Sequence, residues 1–316
     1  MNYRHAYHAG NFADCMKHAL LVWLVGALQR KDAPIAVLDT HAGAGRYDLD
    51  SPSARRTGEW RAGIGRLVDR PPLPLAAYVA LVNQIGLYPG SPALIQALLR
   101  PADRLICCEL HPEEHGELRR HFRRFAPQVA VHQRDAWEAL GALLPPRDRR
   151  GLVLIDPPFE AENEFGQLVE GLAIGHARFR DGVFAAWYPI KHLAPVRGFF
   201  TMLQATGIPD IVAAELYLRE PLDPGRLNGC GLLLVNPPHG FDQAAPPILG
   251  ALLERLGERA HGERVALIRI AEELRGRRAD SRPVSDVRTA AEVARGAHQA
   301  AEPGAGGGPD PDGKPL

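Results

Sequence analysis

The sequence predicts an α/β fold in which helices cover both faces of a mostly parallel sheet of seven strands. Three features predict it. Short aliphatic runs end at acidic residues, most clearly Asp39, Glu109, Asp135 and Asp156; helical stretches separate these runs; and a glycine-rich loop follows the first of them. Open sheets of this kind bind their ligands at the carboxyl ends of the strands, which is where the acidic residues are expected to lie.

The composition shows no overall electrostatic preference for a partner. Lysine plus arginine and aspartate plus glutamate number 37 each, so contact with a polyanion would need a local basic patch. Three arginine clusters are candidates, although a solvated surface is the favoured interpretation of each: residues 119–124, residues 147–150, and Arg55, Arg56, Arg61 and Arg66 together. No apolar run approaches the ~20 residues of a bilayer span, and the polar start lacks a signal peptide's apolar centre. A cytoplasmic protein that does not enter membranes is therefore expected.

The cysteines and histidines favour buried thiols over a metal site. The four cysteines include no C-x-x-C pair: Cys15, Cys107, Cys108 and Cys230. The histidines at positions 5, 8, 18 and 41 have no acidic or cysteine partner at ligand spacing. No metal site is predicted.

The first strand ends at Asp39 and continues into a loop with glycine at positions 43 and 45. Glycine has no Cβ, so the backbone at Gly43 and Gly45 can approach a ligand closely. The arrangement is typical of the first loop of a Rossmann-type nucleotide site, which could hold a dinucleotide or S-adenosylmethionine. The third glycine of the dinucleotide fingerprint is missing and no helix follows promptly, which favours S-adenosylmethionine.

Two helix starts carry further candidate residues. Helical periodicity from about residue 13 to residue 28 places Lys17 and His18 in the first turns of an N-terminal helix. His18 is either a partly buried structural side chain or a contact to a bound cofactor. Farther along, Pro89-Gly90-Ser91-Pro92 predicts a helix with Ser91 as its N-cap and Pro92 at its first position. A role for Ser91 at the cofactor is the alternative.

Residues 46–88 interrupt the alternation of strands and helices and are predicted to form an inserted helical subdomain. Pro71-Pro72-Leu73-Pro74 breaks the segment, and its flanks indicate short helices at residues 57–68 and 75–85. The main domain then comprises residues 1–45 and 89–275. Residues 276–316 are rich in Arg, Ala, Gly and Pro and cannot build a core, so they are predicted to be a disordered tail.

The second and third strands of the main domain also end in acidic residues that could hold a cofactor. Glu109 closes the second strand, where Rossmann sites place the acid that binds ribose hydroxyls; the insertion explains its distance from the glycine loop. Asp135 closes the third strand and begins a D-x-x-E pattern with Glu138. It therefore either caps the following helix or faces the adenine amine of the cofactor.

The stretch Asp156-Pro157-Pro158-Phe159 is the candidate catalytic site. It follows a short aliphatic strand predicted to be buried on both faces, and its two prolines force the chain into a stiff, extended turn. The carboxylate of Asp156 and the carbonyl of Pro157 could both accept hydrogen bonds from an exocyclic amine and direct its lone pair at an electrophile. Phe159 could stack on the base. The tetrapeptide resembles the Asp-Pro-Pro-(Tyr/Phe) motif of adenine-N6 methyltransferases.

A second stretch, Asn236-Pro237-Pro238-His239, repeats this pattern and is similar to the Asn-Pro-Pro-aromatic motif of glutamine-N5 methyltransferases. When the strands are counted from the glycine loop, Asp156 follows the fourth strand and Asn236 follows the seventh. The seventh strand is expected at the antiparallel end of such a sheet. The strand count therefore favours Asp156 as the catalytic residue.

Three blocks of sequence resemble the RlmJ family of 23S ribosomal RNA adenine-N6 methyltransferases, and the likeness covers about residues 2–270. The blocks are Tyr3-Arg4-His5 through His8-Ala9-Gly10-Asn11 to Lys17-His18; the glycine loop from Leu38 to Tyr47 with Arg56-Thr57-Gly58-Glu59; and Asp156-Pro157-Pro158-Phe159. The resemblance implies a Rossmann-like class I fold and a monomer that uses S-adenosylmethionine to methylate N6 of one unpaired or flipped adenine in 23S ribosomal RNA. It also implies site residues: His18, His41, Gly43, Ser91, Glu109, Asp135, Ala136 and Asp156 for the cofactor; Asp156, Pro157 and Phe159 for catalysis; and Tyr3 and Lys17 for the RNA.

The chain departs from the family pattern at three places. Phe159 replaces the commoner tyrosine, which preserves stacking and removes a hydroxyl. Ala136 stands where glycine is usual, and the tail beyond about residue 276 has no counterpart. Three other functions stay open: a DNA adenine methyltransferase, a glutamine-N5 protein methyltransferase acting through Asn236, and a non-catalytic RNA-binding module that keeps the fold.

Overall fold

A computed structural model of the chain describes residues 5–161 and 163–273. The strands are β1 Ala36–Asp39, β2 Arg46–Tyr47, β3 Tyr88–Pro89, β4 Arg104–Cys108, β5 Val129–His132, β6 Gly151–Ile155, β7 Val183–Ile190, β8 Ile211–Tyr217, β9 Gly229–Val235 and β10 Arg264–Ala271. The α-helices are α1 Phe12–Leu28, α2 Pro52–Thr57, α3 Ala76–Ile85, α4 Ser91–Leu98, α5 Pro112–Phe122, α6 Ala136–Ala142, α7 Glu164–Arg178, α8 Leu193–Ala205 and α9 Phe241–Leu256. Tyr3 and the predicted tail lie outside the described residues.

The main sheet has eight strands in the order β10-β8-β9-β7-β6-β1-β4-β5. Strand β1 pairs in parallel with β4 and β6, and β9 is antiparallel to both of its neighbours, β7 and β8. The predicted mostly parallel sheet is confirmed, with β10 added to the predicted seven strands. The sequence did not reveal β10 because this edge strand is only partly buried and carries Arg264 and Arg269 among its apolar residues.

Helices cover both faces of the sheet, and alternate side chains of each central strand point to opposite faces. In β6, Leu152 and Leu154 join a core that includes α1, α4 and α9, whereas Val153 and Ile155 join a core formed with α6, α7 and α8. Every residue of β6 is buried, as predicted for a strand covered on both faces. All four cysteines are buried free thiols, also as predicted.

The two ends of the segment 46–88 are brought together by the antiparallel pairing of β2 with β3. The predicted helix at residues 57–68 is wrong. Gly58 ends α2 in the left-handed region, with φ of 65°, and two short 3-10 turns follow, Glu59–Arg61 and Ile64–Arg66. The predicted helix at residues 75–85 is confirmed as α3. The division into a main domain and an inserted subdomain stays a prediction; Tyr78 and Val79 of α3 share one hydrophobic core with α1.

Candidate active site

Two cavities meet at Asp156-Pro157-Pro158, directly after β6. The first cavity has a volume of about 240 Å³ and lies over the ends of β1, β4 and β5. The second has a volume of about 600 Å³ and lies between α1, the 3-10 turns of segment 46–88 and the ends of β7 and β8. The three residues of the β6 turn therefore face both spaces.

Acidic side chains dominate the wall of the first cavity. Among its described residues are five carboxylates, and Arg134 is the one lysine or arginine there. The carboxylates are Glu109, Glu114, Asp135, Asp156 and Glu164. The wall also includes the predicted residues His41, Gly43, Ser91 and Ala136. The structure thus brings together seven of the eight residues that were predicted to hold the cofactor.

Glu109 is held by the backbone on both of its oxygen atoms. Oε2 accepts a hydrogen bond from the Gly43 N–H at 2.8 Å, and Oε1 accepts one from the His111 N–H at 2.7 Å. Gly43 has φ of 58°, and a Cβ there would lie 2.2 Å from the Tyr47 hydroxyl, so glycine is required on steric and conformational grounds. The carboxylate is therefore fixed beside the glycine loop.

Gly45 serves a different purpose from the one predicted, because it does not line either cavity in the described part of the chain. Its φ is 81°, and a Cβ there would lie 2.9 Å from Leu118 and from Phe122 on α5. Of the two loop glycines, Gly43 lines the first cavity, whereas Gly45 lets the loop pack against α5.

Ser91 was predicted to be a helix N-cap, and this prediction is wrong by one position. Helix α4 begins at Ser91 with Gly90 as its N-cap, and Pro92 occupies the second helical position. The Ser91 hydroxyl instead donates a hydrogen bond of 2.7 Å to Oδ2 of Asp39, which is fully buried. Burial raises the pKa of Asp39 to about 7, although the bond from Ser91 acts in the opposite direction.

Asp135 has the first of the two roles that the sequence left open, and its position is compatible with the second. It caps α6, with Oδ1 accepting hydrogen bonds from the N–H groups of Trp137 at 2.9 Å and Glu138 at 3.1 Å. It also lines the first cavity. Both capping bonds use Oδ1, so Oδ2 is left for a ligand.

His41 connects the glycine loop to the turn after β6. Burial lowers the pKa of His41 to about 4, so its ring is neutral at physiological pH and one ring nitrogen can accept a hydrogen bond. The Asp156 N–H lies 3.3 Å from Nδ1 of His41. This contact helps to fix the start of the turn.

The Asp156 carboxylate lies beside a buried cation. Its Oδ2 forms an ion pair with Nζ of Lys17, which also lies 3.0 Å from Oδ1 of Asp14. Burial alone would lower the pKa of Lys17, but the carboxylates of Asp156 and Asp14 outweigh burial and raise it. Lys17 was predicted to contact RNA. It lines the second cavity, yet its side chain is only 6% exposed and its visible partners are acidic side chains.

Phe159 lines the second cavity and packs against two other aromatic side chains. Its ring meets Phe165 and Trp187 edge to face, with centroid distances of 5.0 and 5.9 Å. Trp187 and Pro189, near the end of β7, line the same cavity. Neither was predicted to be a site residue, although the predicted fifth strand contains both and strand ends of a parallel sheet share one edge.

Two candidate residues among the described ones, His18 and Asn236, do not line either cavity. His18 is buried on α1, where its Nδ1 lies 3.0 Å from the Tyr88 hydroxyl and burial lowers its pKa to about 3. Asn236 follows the antiparallel strand β9 and so lies at the opposite edge of the sheet from Asp156. Its side-chain amide donates to the carbonyls of Arg180 and Gly182 at 2.8 Å each. Tyr3 lies outside the described residues.

Two general features of the described residues bear on the kind of site. No group of three or more histidine, cysteine, aspartate or glutamate side chains is arranged to hold a metal ion within residues 5–161 and 163–273. In the same ranges, no helix combines the length and the apolar character that crossing a bilayer requires.

The sheet order, the glycine loop beside Glu109 and the Asp-Pro-Pro-Phe turn after the fourth parallel strand together define a class I, Rossmann-like methyltransferase. Comparison with known proteins gives the family. The chain belongs to the family described as ribosomal RNA large subunit methyltransferase D, RlmJ, whose family model matches residues 32–268. It is therefore a ribosomal RNA methyltransferase, as its sequence predicts.

Individual relatives agree with this membership. The chain is 39% identical over 264 residues to ribosomal RNA large subunit methyltransferase J of Escherichia coli K12, with 81% of this chain and 94% of the relative covered. It is 37% identical over 265 residues to the protein of that name from Haemophilus influenzae, with the same coverage. Among solved structures, protein LPL1258 of Legionella pneumophila is 33% identical and has a TM-score of 0.74, with 83% of this chain and 97% of that chain covered.

Proposed function

We propose that the protein transfers the methyl group of S-adenosylmethionine to the exocyclic N6 of one adenine in 23S ribosomal RNA, in the cytoplasm. The observation that carries this proposal is the position of Asp156-Pro157-Pro158 between two cavities of opposite character. A group bound in one cavity and a group bound in the other would therefore meet beside this turn.

The first cavity fits S-adenosylmethionine by the chemistry of its wall. The cofactor carries a sulfonium and an ammonium cation, which suit a wall rich in carboxylates. Glu109 would accept hydrogen bonds from the ribose hydroxyls, and Oδ2 of Asp135 from the adenine amine. Nδ1 of His111, at the same wall, is buried and has no hydrogen-bond partner among the described residues, as expected of a group whose partner is a ligand. When bound, the cofactor would supply an electrophilic methyl group.

The turn after β6 provides acceptors for the target amine. Lys17 pairs with Oδ2 of Asp156, which leaves Oδ1 to accept a hydrogen bond from the N6 amine. The Pro157 carbonyl provides a second acceptor. Neither proline has an N–H that could donate to the lone pair of the amine nitrogen. The turn therefore binds the amine through its hydrogens and favours a nitrogen whose lone pair faces the first cavity. Orientation of this kind can account for ~7–11 kcal/mol of barrier lowering.

The second cavity fits the target base. Phe159, Trp187 and Pro189 provide an apolar, largely aromatic wall beside Asp156, and aromatic side chains stack on bases with ~1–3 kcal/mol per base. An adenine that is paired within a helix could not reach this wall, so the substrate adenine must be unpaired or flipped out.

Nucleoside analysis tests the proposal. In vitro transcribed 23S ribosomal RNA is incubated with the protein and S-adenosylmethionine labelled in its methyl group, and the digested RNA is separated into nucleosides. N6-methyladenosine should carry the label, and DNA of matched sequence should stay unlabelled. Label in another nucleoside, or equal labelling of the DNA, would contradict the proposal.

A further inference from the structure

The second cavity opens to solvent through basic side chains from three separate parts of the chain. Arg66 ends the 3-10 turn Ile64–Arg66, Lys191 directly follows β7, and Arg226 lies in the loop between β8 and β9. All three residues are exposed and line the cavity. We call them the rim cations.

The acidic side chains of this cavity are already engaged deeper in the wall. Asp14 and Asp156 share Lys17, and Glu59 accepts hydrogen bonds from His8 and Asn11 at 2.9 and 3.0 Å. These contacts occupy the acidic side chains of the floor, whereas the three rim cations stay exposed at the opening.

Glu258, an acidic residue of this cavity that contacts the rim cation Arg226, is mainly occupied by a different arginine. Both of its carboxylate oxygens contact Arg219, whose Nη1 also donates to the Leu227 carbonyl at 2.8 Å. Arg219 is only 13% exposed, so it is a structural partner of Glu258. Arg226 lies at 3.5 Å from Glu258 and remains 57% exposed.

The other two rim cations have few partners of their own. In the described part of the chain, neither Arg66 nor Lys191 takes part in an ion pair, and Arg66 makes one long hydrogen bond, of 3.4 Å, to the Leu256 carbonyl. Three exposed cations with free donors therefore surround a single opening.

The rim is also held together by a buried side chain. Asn228 is fully buried, and its Nδ2 donates to the backbone carbonyls of Lys191 and Asp223 at 2.8 Å each. This tie connects the end of β7 to the loop that carries Arg226. The backbone segments that carry these two rim cations are thus held together before any ligand binds, which lowers the entropy cost of binding.

We propose that Arg66, Lys191 and Arg226 bind the phosphates of the nucleotides that flank the target adenine and so hold the RNA backbone across the mouth of the second cavity. This inference rests on the proposed function, because a base that enters this cavity must leave its sugar and phosphates at the opening. Exposed cations from three separate parts of the chain suit a strand that passes over the opening, with phosphate contacts fixing register while the base is read inside. The arginine clusters at residues 119–124 and 147–150 line neither cavity in the described residues and are not needed.

The test compares two triple variants of the full-length protein. R66Q/K191Q/R226Q removes the rim charges, and R119Q/R120Q/R147Q removes equal charge elsewhere on the surface. Binding of in vitro transcribed 23S ribosomal RNA is measured by filter retention over a range of salt concentrations. The rim variant should bind about ten-fold more weakly or worse, and the slope of log affinity against log salt should fall by about two. The control variant should match the unmodified protein, and R66K/R226K should keep the slope because it keeps the charges.

Two further readouts separate this inference from the proposed function. S-adenosylmethionine affinity, by calorimetry, and kcat at saturating RNA should both be nearly unchanged in the rim variant, which also shows that it folds. The inference would be overturned if the rim variant kept the RNA affinity and salt slope of the unmodified protein, or if the control variant lost as much of both. Either result would count even if N6-methyladenosine forms. Absence of that product from the unmodified protein would instead overturn the proposed function.

Discussion

The two cavities share the turn after β6 but differ in charge and in construction. Five carboxylates and one arginine occur on the described wall of the first cavity, whereas lysines and arginines outnumber carboxylates by five to four on the described wall of the second. Strand ends and the loops that follow them build most of the first wall. The second draws on α1, segment 46–88, β7 and the loop before β9.

This difference in charge would allow one turn to serve two ligands of opposite charge. In the first cavity, acids such as Glu109 are fixed by backbone N–H groups and keep their negative charge facing the space. In the second, Asp14 and Asp156 share one buried cation, Lys17, and Glu258 contacts Arg219. The exposed rim cations make the opening positive. A cationic methyl donor and a polyanionic RNA would each meet a wall of the opposite sign.

Removal of the shared carboxylate should have the largest effect. Asp156→Ala deletes an acceptor for the target amine, and we expect kcat to fall by about 10³-fold, in line with the loss of a transition-state hydrogen-bonding group. S-adenosylmethionine affinity should change much less, because Glu109 and Asp135 remain. Steady-state kinetics and calorimetry check this, and turnover near that of the unmodified protein would remove Asp156 from the mechanism.

Two lysines of the second cavity should differ sharply in their contribution to stability. Lys17→Met removes the cation that buried Asp14 and half-buried Asp156 share, and only His5 then remains in ion-pair contact with Asp14 in the described residues. The free energy of unfolding should therefore fall by up to ~3–5 kcal/mol. Lys191→Met is the matched control, because Lys191 is exposed and without an ion pair in the described residues, and its change should stay within ~0.5 kcal/mol. Urea denaturation measures both; equal changes would contradict the division into an ion-paired floor and a charged rim.

Glu109→Gln should weaken the first cavity alone. A glutamine side chain has one acceptor oxygen where two backbone N–H groups need acceptors, so either Gly43 or His111 loses its hydrogen bond. A hydrogen bond to a charged group contributes ~1.5–3 kcal/mol, so its loss should raise the Kd for S-adenosylmethionine by about 10–100-fold. RNA affinity should be unchanged. A variant with weaker RNA binding and normal cofactor binding would reverse the assignment of the cavities.

A further expected effect concerns the pH dependence of stability at Asp39. Its pKa of about 7 in the folded protein exceeds the 3.8 of an unperturbed aspartate, because the side chain is buried. Between these values the unfolded chain loses its proton while the folded chain keeps it, so the stability contributed by Asp39 falls as pH rises from about 4 to about 7. Asparagine does not titrate. The Tm of Asp39→Asn relative to the unmodified protein should therefore be higher at about pH 8 than at about pH 5. Asp69→Asn, at an exposed aspartate, is the control, and a Tm difference independent of pH would contradict the account.

The sequence predicted the features that depend on local pattern. An apolar run that ends in an acid indicates a strand end at Asp39, Glu109 or Asp156, and a parallel sheet brings such ends to one edge. The pattern of residues 57–68 was misleading because Gly58 ends the helix early, a conformational effect that helical periodicity does not contain.

The features that the sequence could not predict join distant parts of the chain. Lys17 and Asp156 are 139 residues apart, and nothing in the local sequence of either indicates that they form an ion pair. The rim cations are similarly scattered. Arg66 was noticed within a candidate arginine cluster, but in that cluster Arg55 pairs with Asp50 and Arg61 lies over the ring of Trp60. Which charges remain available is decided by tertiary contacts.

A crystal structure with S-adenosylhomocysteine, the demethylated cofactor, tests the division between the two cavities most directly. The account predicts its ribose hydroxyls at Glu109, its adenine beside Asp135 and its sulfur facing Asp156, with the space around Phe159 and Trp187 left to the RNA base. Density for the cofactor in the cavity lined by Phe159, Lys191 and Arg226 would contradict it.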